Sequence, residues 1–336
     1  MPNPTERVFL TLGEAEDIVS RLDERLRLYG GGGALAARLD YDEASAWAWN
    51  SGLFATTEDL LLHHEAMDVR IPTQDLRAAY DLVLARRKAA LSGPELLSPD
   101  GAKWLMAVRK APPAARNDAS DAPSPALDPD RPDLCSGLTD QIRAIEAAST
   151  EGADAAFQEW LSILLAPRTG RPHLLQAALA LEAWTLIKPF PRTTYLGPLL
   201  VGAWLRGVKR VPTHLITLQR GLRAWRRRHH RRADQTALER ITEWLNVIAE
   251  AARVTHAEWY RLELRRQQLE LFAKDRRSHS RMNDAIKLIV ESPLVTMPMM
   301  ARSLKITQTS AARILEVLAP SLTEITGRAR FRAWRA

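Results

Sequence analysis

Cysteine is nearly absent from this 336-residue chain. Cys135 stands alone, so no disulfide can form within one copy, and a packed core must hold the fold. That usage fits a reducing, cytoplasmic setting. Long hydrophobic runs are missing as well. None approaches the ~18 apolar residues of a membrane-spanning helix, and Met1 to Leu12 lack the basic start and long apolar stretch of a secretory leader. Metal and nucleotide signatures are also lacking. The eight histidines are scattered, and His63-His64-Glu65 places adjacent imidazoles on different helix faces rather than at the spacing of a metal site. No Walker loop, paired-cysteine motif or Gly-x-Ser-x-Gly occurs. Gly30-Gly31-Gly32-Gly33 follow no strand and precede no Lys-Ser/Thr, so they read as a flexible loop rather than a phosphate cradle. No cofactor and no metal is expected.

What the chain does have is apolar content, 46%, and an uneven distribution of charge. Residues 1–140 hold 15 Lys and Arg against 23 Asp and Glu, a net of −8, whereas residues 141–336 hold 32 against 17, a net of +15. A polyanion partner for the second half alone follows from that asymmetry. The apolar spacing is helical almost throughout, and the expected class is mainly α. Helices are expected over Leu12 to Leu28, Ala44 to Trp49, Thr57 to His64 and Thr73 to Leu91. They define an N-terminal helical region, 1–110. Residues 111–133 carry six prolines among Asp, Ser and Ala, and read as a linker or disordered insertion. Helical spacing returns over 134–275. It includes a long helix, Gln235 to Lys274, with Leu238, Ile241, Leu245, Ile248, Ala252, Thr255, Trp259 and Leu262 in a seam and a second stripe beside it. Two stripes imply packing in a bundle or a dimer.

Residues 282–336 read as a winged helix-turn-helix with a small β-hairpin. Asn283 to Glu291 is a first helix, stopped by Ser292-Pro293. Thr296 caps a second, ending near Leu304, and Lys305-Ile306-Thr307 is the turn, where many such motifs carry Gly. A third helix runs from Gln308 to about Ala319. Its Ala311, Ile314, Leu315 and Leu318 face inward, which leaves Gln308, Thr309, Ser310 and Arg313 outward. These residue types bond to base edges and phosphates. The hairpin turns at Thr326-Gly327, after which Arg328, Arg330 and Arg332 alternate with Ala329, Phe331 and Ala333, so period two sets the arginines on one face. Upstream, Arg220, Arg223, Arg226, Arg227, Arg228, Arg231 and Arg232 place seven positive charges in 13 residues. They are candidates for phosphate contact, or else for pairing with the acidic first half.

One further stretch bears on chemistry. From His173 a long apolar helix runs to Lys188-Pro189-Phe190, and a second helix starts near Leu196. This resembles the core of Fic-domain proteins, whose motif is His-Pro-Phe, two variable residues, then Gly-Asn-Gly-Arg at the start of a helix. In that family the His is the base, the glycines free an anion nest and the Arg holds phosphates. Here Pro189 and Phe190 remain. Lys188 replaces the His, and a protonated ammonium has no lone pair with which to act as base. Thr193, Thr194 and Tyr195 fill the nest positions, and Leu196 replaces the Arg, so the resemblance implies a fold whose catalytic residues are lost. Ser45-Ala-Trp-Ala-Trp49-Asn50 is similar to the inhibitory helix of Fic proteins, with Trp49 at the Glu position. Residues 57–70, Ser292 to Thr296 and Ile325 to Trp334 resemble a family of uncharacterised bacterial proteins, mostly rhizobial, that pair a Fic-like helical domain with a C-terminal helix-turn-helix. The expected function is a DNA-binding transcriptional regulator. Its partner is double-stranded DNA, and the Fic-like body serves as dimerisation or effector scaffold. The alternatives are a divergent Fic-type AMP transferase and a toxin–antitoxin-type protein that binds another chain.

Overall fold

The computed structural model describes residues 3–30, 32–68, 70–107, 152–166, 172–229, 234–274, 281–327 and 332–336. The proline-rich linker expected over 111–133 lies outside them, as do Arg231, Arg232, Arg328 and Arg330. Helix α1, Pro4–Tyr29, begins beneath an Asn3 cap and ends at Gly30, whose φ of 71° is open to a residue without a Cβ. It starts earlier than the spacing from Leu12 suggested, because Val8 and Leu12 are both buried.

Helix α2 spans Gly32–Asn50. Gly32 and Gly33 are therefore helical, which corrects the expectation of a loop across all four glycines. Leu35 and Leu39, just downstream, are fully buried. Burying those side chains outweighs a helix penalty of roughly 1 kcal/mol per glycine. Helices α3, Thr57–His64, α4, Gln74–Leu91, and α5, Pro99–Met106, each start on a hydroxyl cap, from Thr56, Thr73 and Ser98.

A further helix, α6, covers 152–164. It packs Phe157 and Trp160 against Trp184 of α7, His173–Ile187. Helices α8, Leu196–Gly207, and α9, Leu218–Arg226, follow. Helix α10, Ala237–Lys274, has 38 residues and so extends about 57 Å at 1.5 Å per residue. It packs against α1, α7 and α9. Ile241, Leu245, Ile248 and Ala252 of the expected seam are buried there, whereas Leu238 is 42% exposed.

One apolar core joins side chains of α1 to α5 with those of α6 to α9 and the first half of α10. A second core gathers Leu269 of α10 with residues 282–334. The body also carries a buried polar network. Arg86 of α4 bonds Asp40 at 2.8 Å and the carbonyl of Leu215 at 3.0 Å. The Glu43 carboxylate accepts from the backbone N–H groups of Gln219 and Arg220 at 2.9 and 3.0 Å. A carboxylate from α2 thus satisfies free donors at the N-terminus of α9. No helix among the described residues is long and apolar enough to cross a membrane.

Candidate nucleic-acid interface

Residues 282–336 build three helices and a small sheet. Helix α11 is Met282–Glu291, α12 is Met297–Leu304 and α13 is Gln308–Leu318. Strands β1, Val295–Thr296, β2, Thr323–Glu324, and β3, Ala333–Arg335, form an antiparallel sheet in the order β1-β3-β2. The sequence pattern pointed to β2 and β3 alone. The two residues of β1, Val295 and the helix cap Thr296, are too short a run to show an alternation.

The turn between α12 and α13 is closed by backbone bonds. Lys305 sits in the left-handed region, φ 54° and ψ 47°. Its N–H donates to Arg302 O at 3.3 Å, and Ile306 N–H donates to Ala301 O at 3.0 Å. This pair of bonds is a Schellman motif. Lysine thus occupies the position where glycine is usual, and it carries a Cβ through a backbone that glycine adopts without strain. Thr307 then caps α13, its hydroxyl accepting from Ser310 N at 3.2 Å. The Thr307 and Ser310 hydroxyls also share a bond of 2.9 Å.

Helix α13 has two distinct faces. Ala311, Ile314, Leu315 and Leu318 are buried in the second core. Gln308, Thr309, Ser310 and Arg313 are exposed, as are Arg302 and Lys305 just ahead of them. The structure thus sets all four of the expected groove-facing side chains on solvent, at the capped end of one helix. Of the wing arginines, Arg332 is described. It is exposed, but its guanidinium pairs with Glu324 of β2 and lies over the Trp334 ring at 5.2 Å. Trp334 shares the face of Arg332 and is buried in the second core, while Ala333 on the opposite face is buried in the first. The strand therefore has both faces covered at 333 and 334, where the alternation implied one apolar and one basic face.

Three arginines of the run are engaged within the molecule. Arg220 lies 3.7 Å from Asp42 and 3.9 Å from Glu258, Arg223 rests over the Trp49 ring at 5.3 Å, and Arg228 pairs with Glu250. Arg226 ends α9, and Arg227 follows it on the surface. Lys188 is exposed and left-handed at the end of α7, φ 51°, with Pro189 buried and Phe190 half-buried against Trp184. Trp47 of α2 donates to the Thr194 hydroxyl at 2.9 Å and meets Tyr195 edge-on, so α2 packs on the α7–α8 turn.

Two arginines outside the candidates of the sequence analysis join the body to this unit. Arg38 of α2 donates to the carbonyls of Val290 and Ser292 at 2.6 Å and of Ile289 at 3.0 Å. Arg335 of β3 lies 3.5 Å from Glu58, 3.7 Å from Asp42 and 3.9 Å from Glu258. Each is separated from its partners by most of the chain or by a whole domain, and no local motif marks them.

A three-helix unit with a capped, polar-faced third helix and a flanking sheet defines a helix-turn-helix protein of the DNA-binding class. Comparison with known families agrees. Residues 282–335 match the family described as an HTH DNA binding domain, and residues 150–274 match one described as a protein of unknown function (DUF1612). The chain is 30% identical to uncharacterized protein y4cF of Sinorhizobium fredii, over 94% of this chain and 93% of that protein. It belongs to the family of that rhizobial protein, with a DUF1612 domain followed by a helix-turn-helix DNA-binding domain.

Proposed function

We propose that the protein is a transcriptional regulator of the cytoplasm that reads double-stranded DNA with α13. One observation carries this reading. Gln308, Thr309, Ser310 and Arg313 project from the N-terminal turns of a helix whose other face is core. Such a helix enters a major groove N-terminus first, and amide, hydroxyl and guanidinium groups there meet base edges. Arg302 and Lys305 flank it as phosphate contacts. Arg328, Arg330 and Arg332 reach the flanking backbone, with Arg332 exchanging Glu324 for a phosphate. The basic run on and after α9, including Arg231 and Arg232, adds phosphate contacts.

The body acts as a Fic-like scaffold for a homodimer, and as a seat for an effector or a protein partner. Support comes from the α7–turn–α8 arrangement and from α2 lying on it. The first turn of α8 is filled by protein. A Cβ at Gly197 would come within 2.6 Å of Trp184 Cε2, and Leu196, Pro198, Leu199 and Leu200 are all buried. A helix start packed in this way has no room for the phosphates that an open glycine nest would bind.

The test is a titration of the full chain onto duplex DNA at several salt concentrations. Binding should weaken steeply with salt, with a log–log slope of several units. Arg313→Ala and Gln308→Ala should weaken binding to a preferred site more than to random DNA. If both variants bind every duplex as the parent does, α13 is not the reading helix.

A further inference from the structure

The contacts of Arg38 and Arg335 differ in kind from the rest of the boundary between body and winged helix. The last carbonyls of α11 have no partners within their own helix. Leu288 O accepts from Ser292 N at 2.9 Å, and the next two, Ile289 O and Val290 O, accept from Arg38. Arg38 therefore caps the C-terminus of a helix in the other half of the molecule, where a positive charge also meets the negative end of the helix dipole. It is 2% exposed, and it holds its own helix too, through Ala34 O at 3.1 Å. Burial, then the nearby Arg335, lowers its pKa to about 10, which leaves it charged at neutral pH.

Arg335 makes the second attachment, from β3. Its guanidinium stands among Glu58 of α3, Asp42 of α2 and Glu258 of α10, three carboxylates on three body helices. Leu294 and Ala333 of the same unit are buried in the body core and Ile325 packs against it. The junction thus combines apolar contacts with two forked cations. Arg220 shares Asp42 and Glu258 with Arg335, so α9 enters the same cluster. None of these contacts covers Gln308, Thr309, Ser310 or Arg313, which stay exposed.

We infer that Arg38 and Arg335 are positioning residues that clasp the winged helix to the body in one orientation, so that the body and not a free tether sets the direction in which α13 is presented. The clasp stands on its own geometry. Its consequence, a fixed spacing between the two reading helices of a dimer, rests on the DNA-reading function proposed above. A clasped reader tolerates only half-sites at one separation, whereas a tethered one tolerates several.

The experiment is a pulsed spin–spin distance measurement on the full chain. Labels go on Leu91→Cys, 91% exposed on α4, and Glu316→Cys, exposed on α13, with Cys135 replaced by serine. The parent should give one narrow distance. Arg335→Gln and Arg38→Lys should each lose it for a broad distribution, with the helical circular dichroism unchanged. Arg335→Lys, which keeps a cation among the three carboxylates, should restore it. A single, unshifted distance in both Arg335→Gln and Arg38→Lys overturns the clasp. If Arg38→Lys does not fold, Arg335→Gln decides alone. A parent with one narrow distance that binds no duplex in the salt titration removes the DNA reading and leaves the clasp in place.

Discussion

Lys305 offers a substitution in which stability and binding should move in opposite directions. Its backbone is left-handed, φ 54°, as the Schellman geometry at the end of α12 requires. A residue with a Cβ held there costs roughly 1–2 kcal/mol relative to right-handed backbone. Glycine removes that strain but returns roughly 0.5–1 kcal/mol as extra freedom of the unfolded chain. Lys305→Gly should therefore stabilise the winged helix by roughly 0–1.5 kcal/mol, read as a higher urea midpoint at unchanged slope. The same change deletes an exposed ammonium three residues ahead of Gln308. If that charge meets a phosphate, one fewer counterion is released on binding, and the slope of log affinity against log salt should shrink by about 0.9. The assay is fluorescence anisotropy of a labelled duplex at four salt concentrations, beside urea unfolding of the same samples. Lys305→Asn is the control, because asparagine tolerates the left-handed region but carries no charge. A Lys305→Gly protein that is less stable contradicts the backbone argument. One whose salt slope equals the parent's contradicts the placement of this turn against the backbone of DNA.

Two further predictions concern the body. A Cβ at Gly221 would lie 2.8 Å from Ala251 N and closer still to the Val247 carbonyl oxygen, so Gly221→Ala must push α9 away from α10; despite a better helix propensity it should cost about 3 kcal/mol or more in urea unfolding, and a neutral result would mean that the two helices part easily. Burial, then the charge of Arg86, lowers the pKa of His214 from 6.5 to about 4. The unfolded state then binds more protons between those two values, so stability is full above pH ~6.5 and falls as the pH drops toward ~4, by up to about 3 kcal/mol for this group. His214→Asn should flatten that decline, and an identical pH profile in the variant would assign the acid sensitivity to other groups.

The parts of this molecule that were legible in the sequence are those whose cause is local. The caps Thr296 and Thr307 and the inward set Ala311, Ile314, Leu315 and Leu318 all follow from spacing and hydroxyl chemistry within one turn, and all stand as the pattern implied. Helix α3 was legible for the same reason. Contacts made across the chain were not. Arg38 reads as one more surface arginine on a helix, because the carbonyls it caps lie about 250 positions later. The charge of the arginine run was plain, but not that Leu218, Gly221 and Leu222 would bury one side of it as α9 and send Arg220 to Asp42 and Glu258. Gly32 and Gly33 show the reverse error, a local preference for loop overridden by the burial of Leu35 and Leu39. Strand β1 could not be seen at all, since two residues hold no period.

The central claim is that α13 selects DNA sequence. It is tested most directly by selecting binding sites for the full chain from a random duplex library, in parallel with Gln308→Ala and Arg313→Ala. A reader of this geometry should enrich one short motif, as an inverted repeat if the protein is a dimer, and each variant should relax the preference at particular base positions while leaving the others intact. No enriched motif from the parent, or the same motif at the same strength from both variants, would contradict it.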